Sequence, residues 1–110
     1  MNSKAPIFTD AYALCQWLLE HLDQSPGVLA HRICRTALAL VETLTLALKG
    51  RQRDLRLEEA DEQLISLRLL IRLANSTGLF ADEQMLHALD YTDRIGRQLG
   101  GWQRALEKAS

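Results

Sequence analysis

The sequence predicts an all-α protein: an up-down-up-down four-helix bundle that associates with copies of itself. Three observations carry this expectation. Hydrophobic residues make up 47% of the 110 residues and aromatics only 5%, and the excess is leucine and alanine, which favour helix over strand. Apolar residues recur at i, i+3 and i+4 in four separate stretches, and none alternates as a half-buried strand would. Glycine, proline and small polar residues fall between the stretches, so connections are short and successive helices run antiparallel.

Residues 1–8 read as a loose leader and residues 9–110 as one bundle domain. Thr9 or Asp10 is placed to cap the first helix, whose stripe is Ala11, Leu14, Leu18 and Leu22, widened by Trp17 and Leu19. Ser25 and Pro26 read as N-cap and first position of a second helix, Val28 to Lys49, ended by Gly50. Its stripe is Ile33, Ala37, Leu40, Val41, Leu44 and Leu48. A polar, basic loop is expected over 50–56. The third helix runs from Leu57 to Asn75 on the unbroken heptad Leu57, Ala60, Leu64, Leu67, Ile71 and Ala74. Glu58, Glu59, Asp61 and Glu62 then fall in its first turns, where the helix dipole favours negative charge. The fourth helix starts near Asp82 and presents Leu86, Leu89, Thr92, Ile95, Gly96 and Leu99 inward. Helices two and three are apolar beyond one seam, and such surplus usually marks an interface. Periodicity alone does not set a subunit number.

The sequence offers little catalytic chemistry. There is no phosphate-cradling glycine loop, no Gly-x-Ser-x-Gly and no His-Glu-x-x-His. A di-metal bundle site needs Glu-x-x-His pairs, and none occurs; His21, His31 and His87 have no partner at ligand spacing, and His87 reads as a surface pair with Glu83. No enzyme activity, cofactor or metal is expected. Cys15 and Cys34 fit no metal or redox spacing and read as buried free thiols in a reducing compartment. No signal peptide is evident, and no apolar run approaches the ~18 residues that would span a bilayer. A cytoplasmic protein without membrane contact is expected.

The formal net charge of −1 argues against a generic nucleic-acid binder but leaves room for a local basic field. Lys49, Arg51, Arg53 and Arg56 cluster around the second connection, opposed by Asp54. An antiparallel bundle brings Arg104 and Lys108 to the same pole, and the leader adds Lys4. Phosphate contact needs such a local concentration rather than a basic whole. The acidic residues that follow in helix three oppose it. Arg68 and Arg72 form an i,i+4 ridge, with Arg32 and Arg35 near the same end as Arg72. Arg94 and Arg97 each follow an aspartate by four residues, Asp90 and Asp93, the favourable order for helix ion pairs. Glu42 sits between Val41 and Leu44, either on the wet edge of helix two or bridged to Arg68 or Arg72, within the chain or between chains.

The last distinctive run is Asp93–Trp102. Gly96 inside a helical pattern suggests a close approach by another helix. Gly100 and Gly101 are expected to stop or bend the helix, and Trp102 reads as an anchor.

Taken together, Trp17-Leu-Leu-Glu-His-Leu22, His31-Arg-Ile33, Ala37–Ala47 with Glu42 inside, Leu67-Arg-Leu-Leu-Ile-Arg-Leu-Ala74 and Ile95-Gly-Arg-Gln-Leu-Gly-Gly-Trp102 resemble one family. It is that of the accessory variability determinant proteins of diversity-generating retroelements. The resemblance covers roughly residues 14–104, and the fold also resembles bundle proteins encoded in ribosomal-RNA intervening sequences. It implies a homopentameric four-helix bundle that associates with the element's reverse transcriptase and with RNA or an RNA–DNA hybrid. It further implies support of mutagenic retrohoming without polymerase chemistry of its own. The arginines inside matched stretches, Arg32, Arg68, Arg72 and Arg97, are the positions it offers as contacts. The chain departs from the clearly basic nucleic-acid binders of that group, which leaves a protein-interaction scaffold without nucleic acid as the alternative. It also has Ala81 where a polar cap is common, with Asp82 beside it as a substitute.

Overall fold

The computed structural model describes residues 5–109. They form four helices: α1 (Pro6–Leu22), α2 (Val28–Leu48), α3 (Arg53–Ser76) and α4 (Asp82–Ala109). Each packs on its neighbours in sequence, and α4 closes the square against α1. The result is an elongated bundle of 45 × 24 × 23 Å, its length set by the 28 residues of α4 at about 1.5 Å per residue.

The apolar stripes meet on the bundle axis. Ala11, Leu14, Leu18 and Leu22 of α1 are buried, as are Ile33, Ala37, Leu40 and Leu44 of α2, and the whole expected heptad of α3. From α4 come Ala88, Thr92, Ile95 and Leu99. The Thr92 hydroxyl is satisfied by donating to the Leu89 carbonyl at 2.7 Å. Phe80, in the α3–α4 connection, plugs one end of this core at 2% exposure. Leu86 does not face inward as its spacing suggested; it is 61% exposed, and Ala88 takes the inner position.

The helix ends depart from the sequence reading more than their interiors. α1 starts at Pro6, with Ala5 at the N-cap position and no side-chain cap. Proline fits there because its missing N–H has no intrahelical partner to lose. Residues 6–8 are therefore helix rather than leader, and Thr9 and Asp10 lie inside it. Ser25 and Pro26 lie before α2, whose N-cap is Gly27 at φ +108°. α3 starts at Arg53, so Arg53 and Arg56 lie on its first turns rather than in a loop. Asp54 is then the first-turn acid, while Glu58 to Glu62 sit further along.

Gly50 does end α2. At φ +78° it lets its own N–H reach the Ala47 carbonyl and the Arg51 N–H reach Leu46, which satisfies two terminal carbonyls. Gln52 follows at φ +49°, a left-handed conformation that a side chain disfavours. At the start of α4 the Gln84 Oε1 accepts from the Ala81 N–H at 2.8 Å. Asp82 does not substitute as a cap; its carboxylate accepts from the Asn75 amide at 2.8 Å.

Gly100 and Gly101 do not stop α4, which runs on to Ala109. Nor does Gly96 mark a backbone approach that excludes a side chain: a Cβ there would meet Leu64 Cδ2 at 3.5 Å, ordinary contact.

Candidate nucleic-acid interface

The basic residues singled out by sequence do not form one surface. Lys49 and Arg51 are exposed on the α2–α3 turn. Arg53 is half-buried and committed to the fold. Its Nε donates to the Ala47 carbonyl at 3.0 Å, and its guanidinium lies 5.8 Å from the Trp102 ring centroid. It thus ties the end of α2 to the tail of α4. Trp102 is half-buried against the core. Arg56 is also half-buried and pairs with Glu59 at 3.3 Å.

Two of the four cations around the turn are therefore engaged. Arg104 does reach this end of the bundle, but it lines a groove of about 460 Å³ whose other charged residues are Asp54, Glu58 and Glu107. Charge at this end is mixed, because α3 begins early and carries acids toward the pole along with arginines. Lys4 lies outside the described residues.

The second set spreads over three elements. Arg68 of α3 pairs with Asp93 of α4 at 3.1 Å, and both line a groove with Asp61 and Arg97. Asp93 serves Arg68 across the helix junction, and Arg97 is left exposed. Arg94 behaves as expected toward Asp90, at 3.1 Å, and also lies 3.9 Å from Asp10. Arg32 and Arg35 line the α2–α3 groove with Glu59, Glu62 and Gln63. Arg72 is exposed. Among the described residues Arg32, Lys49, Arg51, Arg72 and Arg97 have no carboxylate partner and are available to an outside anion; Arg35, Arg104 and Lys108 are likewise unpaired.

Glu42 is exposed at the α1–α2 groove beside Tyr12 and Val41, away from the α3–α4 junction that holds Arg68. Among the described residues it bridges neither Arg68 nor Arg72. His87 does not pair with Glu83; its ring packs 4.9 Å from Trp17 and 5.3 Å from Tyr91. Sequence reading missed this cluster because the rings come from two helices. The available signal was the pair of i,i+4 spacings, Trp17 to His21 and His87 to Tyr91.

Burial pushes the Cys15 thiol above its ordinary value, helped by the nearby Cys34 and Glu42 charges. Cys34 is raised by burial and then by Asp23. Both thiols are free. Among the described residues no group of three or more histidine, cysteine, aspartate or glutamate side chains could hold a metal ion. Nor is any described helix long and apolar enough to cross a membrane.

Comparison with known families places the bundle further. A model of the bAvd-like family matches residues 7–106, a span touching all four helices, and the chain belongs to that family. This bears out the resemblance to accessory variability determinant proteins. Neither the curated proteins nor the solved structures contain a match.

Proposed function

We propose that this chain is a non-enzymatic, cytoplasmic accessory subunit of a diversity-generating retroelement. It self-assembles, docks the element's reverse transcriptase, and holds template RNA or an RNA–DNA hybrid by electrostatic contact, in support of mutagenic retrohoming. The observation that carries this reading is the family match over residues 7–106.

The geometry supports each part differently. For nucleic acid, the exposed and unpaired Arg32, Lys49, Arg51, Arg72 and Arg97 are the contacts; Arg53, Arg56 and Arg68 serve the bundle first. For self-assembly, into the homopentamer that the family implies, α3 offers Ile65, Leu69 and Leu73, exposed by 63%, 64% and 45%. Spaced at i, i+4 and i+8, they line one outward ridge, a continuous apolar patch of the kind that marks an interface. A scaffold without nucleic acid is the second reading, favoured by the net charge of −1 and the arginines already neutralised within the chain.

RNA affinity measured against salt separates the two. Phosphate contact predicts a linear fall of log affinity with log salt, and loss of roughly one unit of slope for each contacting cation removed. Arg32→Ala with Arg72→Ala should lower both affinity and slope. Salt-insensitive binding, or none at low salt even with the reverse transcriptase present, rejects the nucleic-acid role. A monomer by light scattering at micromolar concentration rejects the assembly.

A further inference from the structure

Across the α1–α4 junction runs an unbroken series of rings that the nucleic-acid reading does not use. His21 stacks on Trp17 with centroids 4.1 Å apart and planes at 28°. Trp17 meets His87 at 4.9 Å, and His87 meets Tyr91 edge-on at 5.3 Å. The Arg94 guanidinium continues the series 4.3 Å from the Tyr91 centroid. Trp17, inside the series, anchors it on the core by leaning on Phe80 at 5.6 Å. The His21 Nδ1 lies 2.8 Å from the Trp17 carbonyl; a carbonyl only accepts, so Nδ1 carries the proton and fixes the ring on the indole. His21 and His87 are exposed, and Trp17 and Tyr91 are half-buried. This is an ordered aromatic surface facing water, of the kind enriched at protein interfaces.

The charge around it is mainly negative. Glu20 lies three residues beyond Trp17, and Glu83 and Asp90 lie one turn to either side of His87. All three are exposed. Asp10 holds the Gln98 amide at 2.7 Å. The only cation in the series, Arg94, is already shared by Asp90 and Asp10. The face therefore carries uncompensated carboxylates beside ring faces that are themselves electron-rich. A phosphate backbone is repelled there, whereas a guanidinium gains on both counts, stacking on rings and pairing with carboxylates.

We propose that the α1–α4 face docks an arginine-rich segment of a partner protein. Its guanidinium groups stack on the exposed rings of His21 and His87, with Glu20 and Glu83 as counter-charges. The assignment shares with the accessory-subunit reading only the premise that the chain has a protein partner. It also separates the two functions in space: the unpaired Arg32, Lys49, Arg51 and Arg72 belong to α2, α3 and their turn, and Arg97 of α4 lines the groove on the α3 side of that helix.

The test is titration of the ¹⁵N-labelled full chain with a short synthetic arginine-rich peptide and, separately, with single-stranded oligouridine RNA. The peptide should shift resonances of Trp17, His21, His87 and Tyr91. Glu20→Lys with Glu83→Lys, both on exposed positions, should weaken it by about tenfold while leaving the thermal melt in place. His21→Ala with His87→Ala should weaken it without changing net charge. The proposal is overturned if RNA moves the aromatic resonances and the peptide does not. It is overturned too if the peptide maps to the acids of α3, or if the charge reversals instead abolish self-association through a second copy's α2–α3 turn. Co-purification with the reverse transcriptase tests the accessory reading independently: if wild-type chain binds the peptide at these rings but not the enzyme, the accessory reading fails and the docking face stands.

Discussion

Replacing Gly100 and Gly101 together by alanine should stabilise this bundle. Both glycines lie inside the continuous α4, eight or more residues from its end at Ala109, and neither has a positive φ. A Cβ at Gly100 would meet only an Arg104 guanidinium nitrogen, at 3.4 Å, and one at Gly101 the other nitrogen at 3.9 Å. These are the far ends of a flexible side chain that can move aside. Glycine in a helix interior costs about 0.8–1.0 kcal/mol relative to alanine, so the double variant should gain about 2 kcal/mol. For a domain of this size that is a rise in Tm of roughly 8–10 °C. Thermal melts by circular dichroism, with urea unfolding to fix the free energy, read the change directly. A lower Tm would show that α4 is not regular at this point or that a backbone approaches it there. Weaker assembly in a variant whose bundle is more stable would place the reason for the glycines between copies of the chain.

Three further outcomes follow from local geometry. Gln52→Gly should stabilise by roughly 0.5–1 kcal/mol in urea titration, because it removes a left-handed side-chain penalty at φ +49° and loses part of the gain to unfolded-chain entropy; a loss would mean that Gln52 makes a contact worth more than its strain. Arg53→Ala should cost about 1–2 kcal/mol through the lost bond to the Ala47 carbonyl and the Trp102 contact, with RNA affinity unchanged, whereas Arg51→Ala should do the reverse; filter binding and thermal melts distinguish them. The Cys15 thiol, raised by burial, contributes stability that is intact below the ordinary thiol range and is lost as pH rises through the raised folded value. Unfolding free energy should therefore be flat in this respect near neutrality and fall on the alkaline side, with iodoacetamide labelling Cys15 only when urea unfolds the chain. Rapid native labelling would contradict its burial.

The helix interiors were legible because one physical rule decides them. The heptad from Leu57 to Ala74 is buried without exception, and Gly50 ends α2 as its φ allows. The ends were not, because tertiary contact overrides local signals there. α3 begins at Arg53 rather than Leu57, where that side chain finds the Ala47 carbonyl near the end of α2 and the face of Trp102, a partner 49 residues away in sequence. The glycines of α4 misled for the complementary reason: a helix continues through glycine when the flanking turns are held by a core that includes Ile95 and Leu99. The basic residues could be found in the sequence but not sorted. Whether Asp93 serves Arg97 on its own helix or Arg68 on the next is settled only by packing. The aromatic run at the α1–α4 junction required two helices to meet before it existed at all.

The accessory role itself is tested most directly by reconstituting cDNA synthesis from the retroelement's own reverse transcriptase and template-repeat RNA, with and without this chain. The account predicts that the chain co-sediments with the enzyme and raises the cDNA copied from that template, and that Arg32→Ala with Arg72→Ala reduces the gain. Equal cDNA in the absence of the chain, together with no co-sedimentation, would contradict it.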